Sequence, residues 1–163
     1  MSELEGVRYG TCTFGRVIAV RLAPGVDILG AIEDVVKAEG VRAGVILSGV
    51  ARVRRESVRR ALSLLPEAFP AGDPREPYLL GDEPLELISV CGNIAEHDGE
   101  PVLNVYFLAA AAVRGGATFG GQLVEGCRVA ETGEIVIAEV AGLAMVRRSE
   151  PDVRQAEMFF GLD

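Results

Sequence analysis

Two kinds of apolar spacing follow one another in the first third of the chain and predict a strand, a helix and a second strand. Phe14–Leu22 loosely alternates β-branched and polar residues, which is typical of a strand. Asp27 offers a side-chain N-cap, and the apolar residues after it recur at helical spacing until Gly40, which favours the end of a helix. Val45–Val50 is nearly all apolar and predicts a buried strand, in which Gly49 marks a bulge or a close approach of two backbones.

A central β-hairpin is predicted from two alternating stretches, Leu85–Asn93 and Val102–Leu108, around Asp98-Gly99. An Asp-Gly pair suits a two-residue type I′ turn, because both central positions need positive φ. His97 then pairs with Glu100, and the register continues until Asn93 faces Asn104 and Cys91 faces Tyr106. Alternation places one set of side chains on a polar face (Ser89, Cys91, Asn93, Asn104, Tyr106) and another on the core face (Ile88, Val90, Leu103, Val105, Phe107).

The rest of the chain predicts a glycine-lined return, a strand and a C-terminal helix. Gly115-Gly116 and Gly120-Gly121 allow close backbone approach, and Glu134–Val140 is a strand. Ser149 caps a short C-terminal helix in this interpretation. The apolar tail packs either on the core or on a neighbouring subunit, and consists of Val153, Met158, Phe159 and Phe160.

Length and composition predict one domain over residues 1–163, with a core at about 14–145 and a tail at 149–163. The chain has 163 residues, 49% of them hydrophobic, which is enough for one self-sufficient core. It has no apolar run of the ~18 to 20 residues that a membrane span needs, and its acidic N-terminus does not resemble a secretory signal. These features predict a soluble cytoplasmic protein. The three cysteines stand far apart and are predicted to be buried thiols.

A basic stretch follows the predicted strand Val45–Val50, and its charge allows two interpretations. The guanidinium group of arginine presents a planar fork of donors to phosphate oxygens, so the stretch predicts a contact with DNA. The formal net charge of -8, however, would repel a polyanion. The other interpretation is a solvated strand or hairpin whose arginines pair with the surplus carboxylates. Pro66–Pro77 is predicted to be a surface loop. The basic stretch contains Arg52, Arg54, Arg55, Arg59 and Arg60.

Three motifs in order resemble the PPC domain, named for its occurrence in plants and prokaryotes. They are LSGV at 47–50, PLELISVCGNIAEHDGEP at 84–101 and GGQLVEGCRV from Gly120. The resemblance implies an α/β fold of the α+β type: a compact, largely antiparallel twisted β-sheet flanked by a few helices, assembled as a homotrimer. Plant members join this domain to AT-hooks that contact DNA, and stand-alone prokaryotic members are often named as DNA-binding proteins. No Arg-Gly-Arg-Pro-like AT-hook core occurs in this sequence.

The resemblance also implies a metal site, at positions where many members carry three histidines. Here those positions hold Asn104, Tyr106 and Gln122. Amide and phenol groups are poor replacements for imidazole around zinc, so we expect a degenerate site with no metal and no cofactor. The one histidine, His97, lies beside the turn and is predicted to be solvated. We identify no catalytic residue.

Three functional hypotheses follow, in order of preference. The first is a homotrimeric binding or assembly module that holds a small polar ligand near the subunit interface. Its ligand-binding residues would be Asn104, Tyr106 and Gln122, with Gly120 and Gly121 leaving room. Alternatively, the three polar side chains satisfy one another in a buried network that braces the trimer. A DNA-binding regulator that uses Arg52–Arg60 is second, and a metal-dependent enzyme is a distant third.

Overall fold

The computed structural model describes residues 2–5, 7–54, 84–111, 118–148 and 157–161, and consists of one helix and ten strands within these ranges. This part of the chain contains no helix with the length and apolar character of a membrane crossing. The elements are β1 (Ser2–Leu4), β2 (Val7–Tyr9), β3 (Thr13–Leu22), α1 (Ile28–Ala38), β4 (Gly44–Val53), β5 (Leu85–His97), β6 (Glu100–Ala110), β7 (Thr118–Gln122), β8 (Val129–Ala141), β9 (Ala144–Arg148) and β10 (Glu157–Gly161).

The main sheet is almost entirely antiparallel, as the resemblance implies. Its strands lie in the order β7–β6–β5–β4–β8–β3. A ribbon of β9 and β10 joins beside β5, where Glu96 and Val146 form a parallel bridge. The two short strands β1 and β2 pair with each other in a separate two-stranded sheet. The resemblance implies a few flanking helices, whereas the described residues contain one helix, α1.

Helix α1 begins and ends at the residues that the sequence predicts. The Asp27 carboxylate accepts a hydrogen bond from Gly30 N at 3.1 Å, which caps the helix. Its other oxygen accepts from Gly126 N at 2.6 Å, so the same side chain also holds the turn before β8. At the other end Gly40 has φ +64° and Val41 N bonds to Val36 O at 2.9 Å, which is the geometry of a glycine-terminated helix.

The core lies between α1 and one face of the main sheet, called the inner face below. Ile28, Ile32 and Val36 of α1 are completely buried, and each contributes about 2 kcal/mol by leaving water. The opposite face of the sheet, the outer face, is covered at one end by the β9–β10 ribbon. There a second, smaller cluster contains Ala43, Ala95, Val140, Leu143 and Met145, with Met158 and Phe160 of β10 packed against it.

The strand predicted at Val45–Val50 forms the middle of β4, with three corrections. Gly49 makes a close approach, but to side chains and not to another backbone, because a Cβ there would lie 2.6 Å from Val90 Cβ. A register shift occurs in the β4–β8 pair, but it lies between Ile46 and Ser48 and not at Gly49, where the bulge was predicted. The prediction that the whole run is buried is wrong, since Leu47 and Val50 are each 47% exposed. Both lie on the outer face, beyond the end that the ribbon covers.

The predicted C-terminal helix is wrong for the last part of the tail, where 157–161 form strand β10. Strand β9 offers an open edge, and five residues of β10 pair with it in antiparallel register. The Arg148 guanidinium lies 5.4 Å from the centre of the Phe159 ring, which adds a cation–π contact. Ser149 and Val153 lie outside the described residues, as do Pro66–Pro77 and Gly115-Gly116.

The prediction that all three cysteines are buried holds only for Cys127. Burial, and then the nearby Asp27 charge, raise the pKa of the Cys127 thiol to about 12, which keeps it protonated and inert at neutral pH. Cys12 and Cys91 are exposed. Cys91 lies on the outer face, and Cys12 lies in the segment before β3.

Replacing Asp27 tests its double role. Asp27→Ala removes the acceptors for Gly30 N and Gly126 N together, so we expect the free energy of unfolding to fall by about 2 kcal/mol in a denaturant titration. Asp34→Ala is the matched control, because Asp34 is an exposed carboxylate of the same helix. Equal losses in the two variants would contradict a capping role for Asp27.

Candidate functional site

The β5–β6 hairpin has the turn and the register that the sequence predicts. Asp98 and Gly99 have φ +51° and +85°, as a type I′ turn requires. His97 pairs with Glu100, Asn93 with Asn104 and Cys91 with Tyr106. The alternation therefore continues from the turn through the middle of both strands, and it places the polar residues on the outer face.

The three positions implied by the resemblance lie together on the outer face. Tyr106 of β6 is the direct partner of Gln122 of β7, and Asn104 is two residues from Tyr106 on the same face. Tyr106 is 44% exposed, so the three do not form a buried network within one protomer. A Cβ at Gly121 would meet nothing within 4 Å, whereas one at Gly120 would lie 3.1 Å from Phe107 O. Gly121 pairs with the inward-facing Phe107, so its open space lies on the inner face and not beside Gln122 as predicted. Gly120 pairs with Leu108 on the outer face and is closely packed.

One residue that was predicted on the core face, Ile88, lies on the outer face instead. Ile88 is 49% exposed, because a register shift between Leu87 and Ser89 interrupts the alternation in β5. Ile88 joins other large side chains that are each 40–49% exposed on the outer faces of β4, β5 and β6. We call this group the apolar outer patch, and it consists of Leu47, Val50, Ile88, Tyr106 and Leu108.

The polar face continues past the hairpin to the β9–β10 ribbon, which sequence reasoning missed. Arg147 of β9 donates from Nη2 to Asn93 Oδ1 at 2.8 Å. The Arg147 carbonyl lies 2.8 Å from His97 Nδ1, so the His97 ring is held against β9 instead of being wholly solvated. Because 54 residues separate Asn93 from Arg147, no local pattern could have indicated this contact.

The basic stretch is described only at its beginning, and there its arginine is paired. Arg52 donates to Glu86 at 2.5 Å and to Glu131 at 2.8 Å. The hydrogen bond with Glu86, followed by that with Glu131, raises the pKa of Arg52 above its ordinary value. Arg54 is exposed, while Arg55, Arg59 and Arg60 lie outside the described residues. The carboxylate-paired interpretation therefore holds for Arg52.

The donor set on the outer face does not fit a zinc ion. Asn104, Tyr106 and Gln122 lie side by side, but they supply amides and a phenol where zinc prefers imidazole, thiolate or carboxylate. Within the described ranges, no three His, Cys, Asp or Glu side chains come together as metal ligands would. We therefore derive no chemistry through a metal.

A separate cavity of about 130 Å³ lies at the end of the sheet near the ribbon, away from these residues. Two carboxylates line it, and both are engaged: Glu96 by Arg42 and Glu139 by Arg16. Hydrogen bonds from these arginines lower the pKa of both carboxylates, so the two act as ion-pair partners. The other lining residues are Gly40, Ala43, Val140, Ala144, Met145 and Val146.

The fold of this chain is similar to that of proteins whose structures have been solved. The chain is similar to a plant- and prokaryote-conserved protein of Pyrococcus horikoshii, with a TM-score of 0.65 and 23% identity, over 93% of this chain and 97% of that one. It is also similar to a protein of Bacteroides thetaiotaomicron described as a "putative dna binding protein", with a TM-score of 0.61 and 16% identity, over 93% and 99% of the two chains. At these identities the likeness concerns the fold.

Comparison of sequences extends the likeness to the family. A curated relative, the bifunctional protein GlmU of Synechococcus sp. (strain JA-3-3Ab), is 31% identical over 143 residues, which is 88% of this chain. The chain spans only 20% of that relative's length. The model of the Plants and Prokaryotes Conserved (PCC) domain matches residues 9–141, most of the chain. This chain therefore belongs to the Plants and Prokaryotes Conserved domain family.

Proposed function

We propose that the protein is a homotrimeric binding and assembly module whose copies meet through the apolar outer patch. The observation that supports this is the patch itself: five large side chains, each 40–49% exposed, on three adjacent strands. Apolar patches larger than a few hundred Å² are rare on the surface of a monomer and mark contact sites. The β9–β10 ribbon covers the outer face only beyond the patch.

The free energy of burying apolar surface favours a second copy of the chain as the partner that covers the apolar outer patch. Completing the burial of each patch side chain contributes about 1 kcal/mol, and a stable interface buries about 800 Å² per partner. The patch would be the apolar centre of such an interface, and the arginine–carboxylate groups near it would form a polar rim. Three copies, as the resemblance implies, would close the assembly without leaving a patch exposed.

The polar side chains gain a role from this arrangement. Tyr106 belongs to the patch, and Asn104 and Gln122 lie beside it on the same face. A neighbouring copy that packs on the patch would cover these side chains and enclose them in a polar site. The site would then bind a small polar molecule at the subunit interface, while the alternative is a network that braces the trimer.

The curated relative gives the proposal indirect support. In the Synechococcus protein, the region like this chain is about a fifth of a bifunctional protein. The similar region makes up 97% of the Pyrococcus chain of known structure but only a fifth of the Synechococcus protein, which is how a module occurs. That occurrence fits assembly and ligand binding more readily than a complete catalyst.

A DNA-binding regulator is the second candidate, favoured by the basic stretch and by the description of the Bacteroides structure. Two observations weigh against it: Arg52 is already held by two carboxylates, and the net charge is -8. A metal-dependent enzyme stays the third hypothesis, without a supporting cluster among the described side chains.

A charge placed in the patch tests the assembly. Leu108 is 40% exposed in the protomer, so Leu108→Asp leaves the fold intact but buries a carboxylate in any interface. We expect light scattering to give three times the 17.3 kDa chain mass for the wild type and the chain mass for the variant. Val7→Asp, at a 50% exposed position of β2, is the control and should keep the trimer. A monomeric wild type would contradict the proposal.

The thiol of Cys91 reports on the same surface without a mutation. Cys91 and Cys12 are both exposed in the protomer, but only Cys91 lies on the outer face beside Tyr106. We therefore expect a thiol reagent at neutral pH to label Cys12 quickly and Cys91 slowly in the wild type. In Leu108→Asp, Cys91 should react as fast as Cys12, while Cys127 stays protected in both proteins. Fast labelling of Cys91 in the wild type would show that the outer face is uncovered.

The DNA hypothesis has its own test. If the basic stretch binds DNA, duplex binding should weaken steeply with salt and fall when Arg54 and Arg55 are changed to Ala together. Because the chain is acidic, we expect no salt-dependent duplex binding in a gel-shift assay even at low ionic strength. Binding that the double variant abolishes would favour the regulator over the module.

A further inference from the structure

We propose that the ligand of the outer face presents a carboxylate, and that Asn93, held in one orientation by Arg147, selects it. This inference rests on the proposed function, because it assumes that the polar side chains of this face bind a ligand. It starts from one contact, the hydrogen bond of 2.8 Å from Arg147 Nη2 to Asn93 Oδ1.

This contact determines which end of the Asn93 amide is presented. A guanidinium can only donate, so the amide atom that faces Arg147 is the oxygen. The amide nitrogen, with its two N–H donors, then lies on the other branch of the planar group. Among the side-chain hydrogen bonds of the described residues, none uses Asn93 Nδ2. Asn93 therefore acts as a donor towards anything bound on the outer face.

Arg147 is well placed to keep this orientation. Its backbone lies in β9, where the carbonyl meets His97 Nδ1 and the residue pairs with Met158 of β10. The guanidinium Nε is buried, so this part of the side chain is shielded from solvent. An amide that accepts a hydrogen bond from a cation is polarised, and its N–H groups become stronger donors. Arg147 is thus a positioning residue that also strengthens the donors of Asn93.

The neighbours of Asn93 complete a group of donors. Asn104 is its direct cross-strand partner, and the Cβ atoms of such partners lie about 5 Å apart. Tyr106 follows on the same face and supplies a hydroxyl, while the Asn104 amide can turn its nitrogen towards the same point. Donors that converge from several side chains match the two oxygens of a carboxylate, which only accepts hydrogen bonds. A phosphate shares this chemistry and is the alternative that the experiment must separate.

The experiment titrates acids against their amides with the full-length chain. Acetate, lactate and succinate are compared by calorimetry with acetamide, lactamide and succinamide, and inorganic phosphate is titrated separately. We expect at least one acid to bind roughly tenfold more tightly than its amide and more tightly than phosphate, because charge-assisted hydrogen bonds are the stronger ones.

The variants test which residues cause this preference. Asn93→Asp is nearly isosteric and replaces the donor with a carboxylate, so the acid-to-amide affinity ratio should fall to about one. Arg147→Lys keeps the charge but loses the planar fork, so it should lower the ratio partly. Arg148→Gln, at the next residue and over the Phe159 ring, is the control and should leave the ratio unchanged. The ratio is informative because general damage to the site weakens acid and amide alike.

Each result either supports or overturns the inference. A ratio that collapses in Asn93→Asp and survives in Arg148→Gln supports it. Equal binding of acids and amides, tighter binding of phosphate, or no saturable binding of any acid overturns it. Light scattering on the same samples separates the two proposals: a trimer without acid preference overturns only the carboxylate assignment, whereas a monomer overturns the proposed function.

Discussion

The Asp98-Gly99 turn imposes the register on which the outer face depends. Both turn residues have positive φ, and this geometry admits one pairing of β5 with β6. A slip of one residue would turn Asn104 and Tyr106 into the core and expose Val105 and Phe107. Such a slip would both bury unpaired polar groups and expose apolar area, so the fold resists it strongly. The polar face, its pairing with β7 and its position beside the apolar outer patch all follow from this register.

The outer face is only partly covered within the described part of one protomer. The single described helix, α1, covers the inner face, and the β9–β10 ribbon covers one end of the outer face. The strands between them carry apolar side chains that have no cover within the described residues, next to side chains that can donate and accept hydrogen bonds. Association of copies would bury the first group and enclose the second. In the proposed function, the same surface would therefore connect assembly with ligand binding.

The sequence was most informative where structure depends on neighbouring residues. The hairpin turn, the capping of α1 by Asp27 and the end of α1 at Gly40 each depend on residues a few positions apart, and all were predicted correctly. The predictions failed where the structure depends on long-range contacts. Ile88 faces outward because of a bulge in the β5–β6 pair, and β10 is a strand because β9 offers it an edge. The Arg147–Asn93 hydrogen bond spans 54 residues and has no local signal.

The most direct test of the central claim is a crystal structure of the protein as it assembles in solution. We expect Leu47, Val50, Ile88 and Leu108 to contact another copy of the chain, and this copy to enclose Asn104 and Gln122 within one polar site. A structure in which these four apolar side chains face solvent, with the copies meeting through another surface, would contradict the claim.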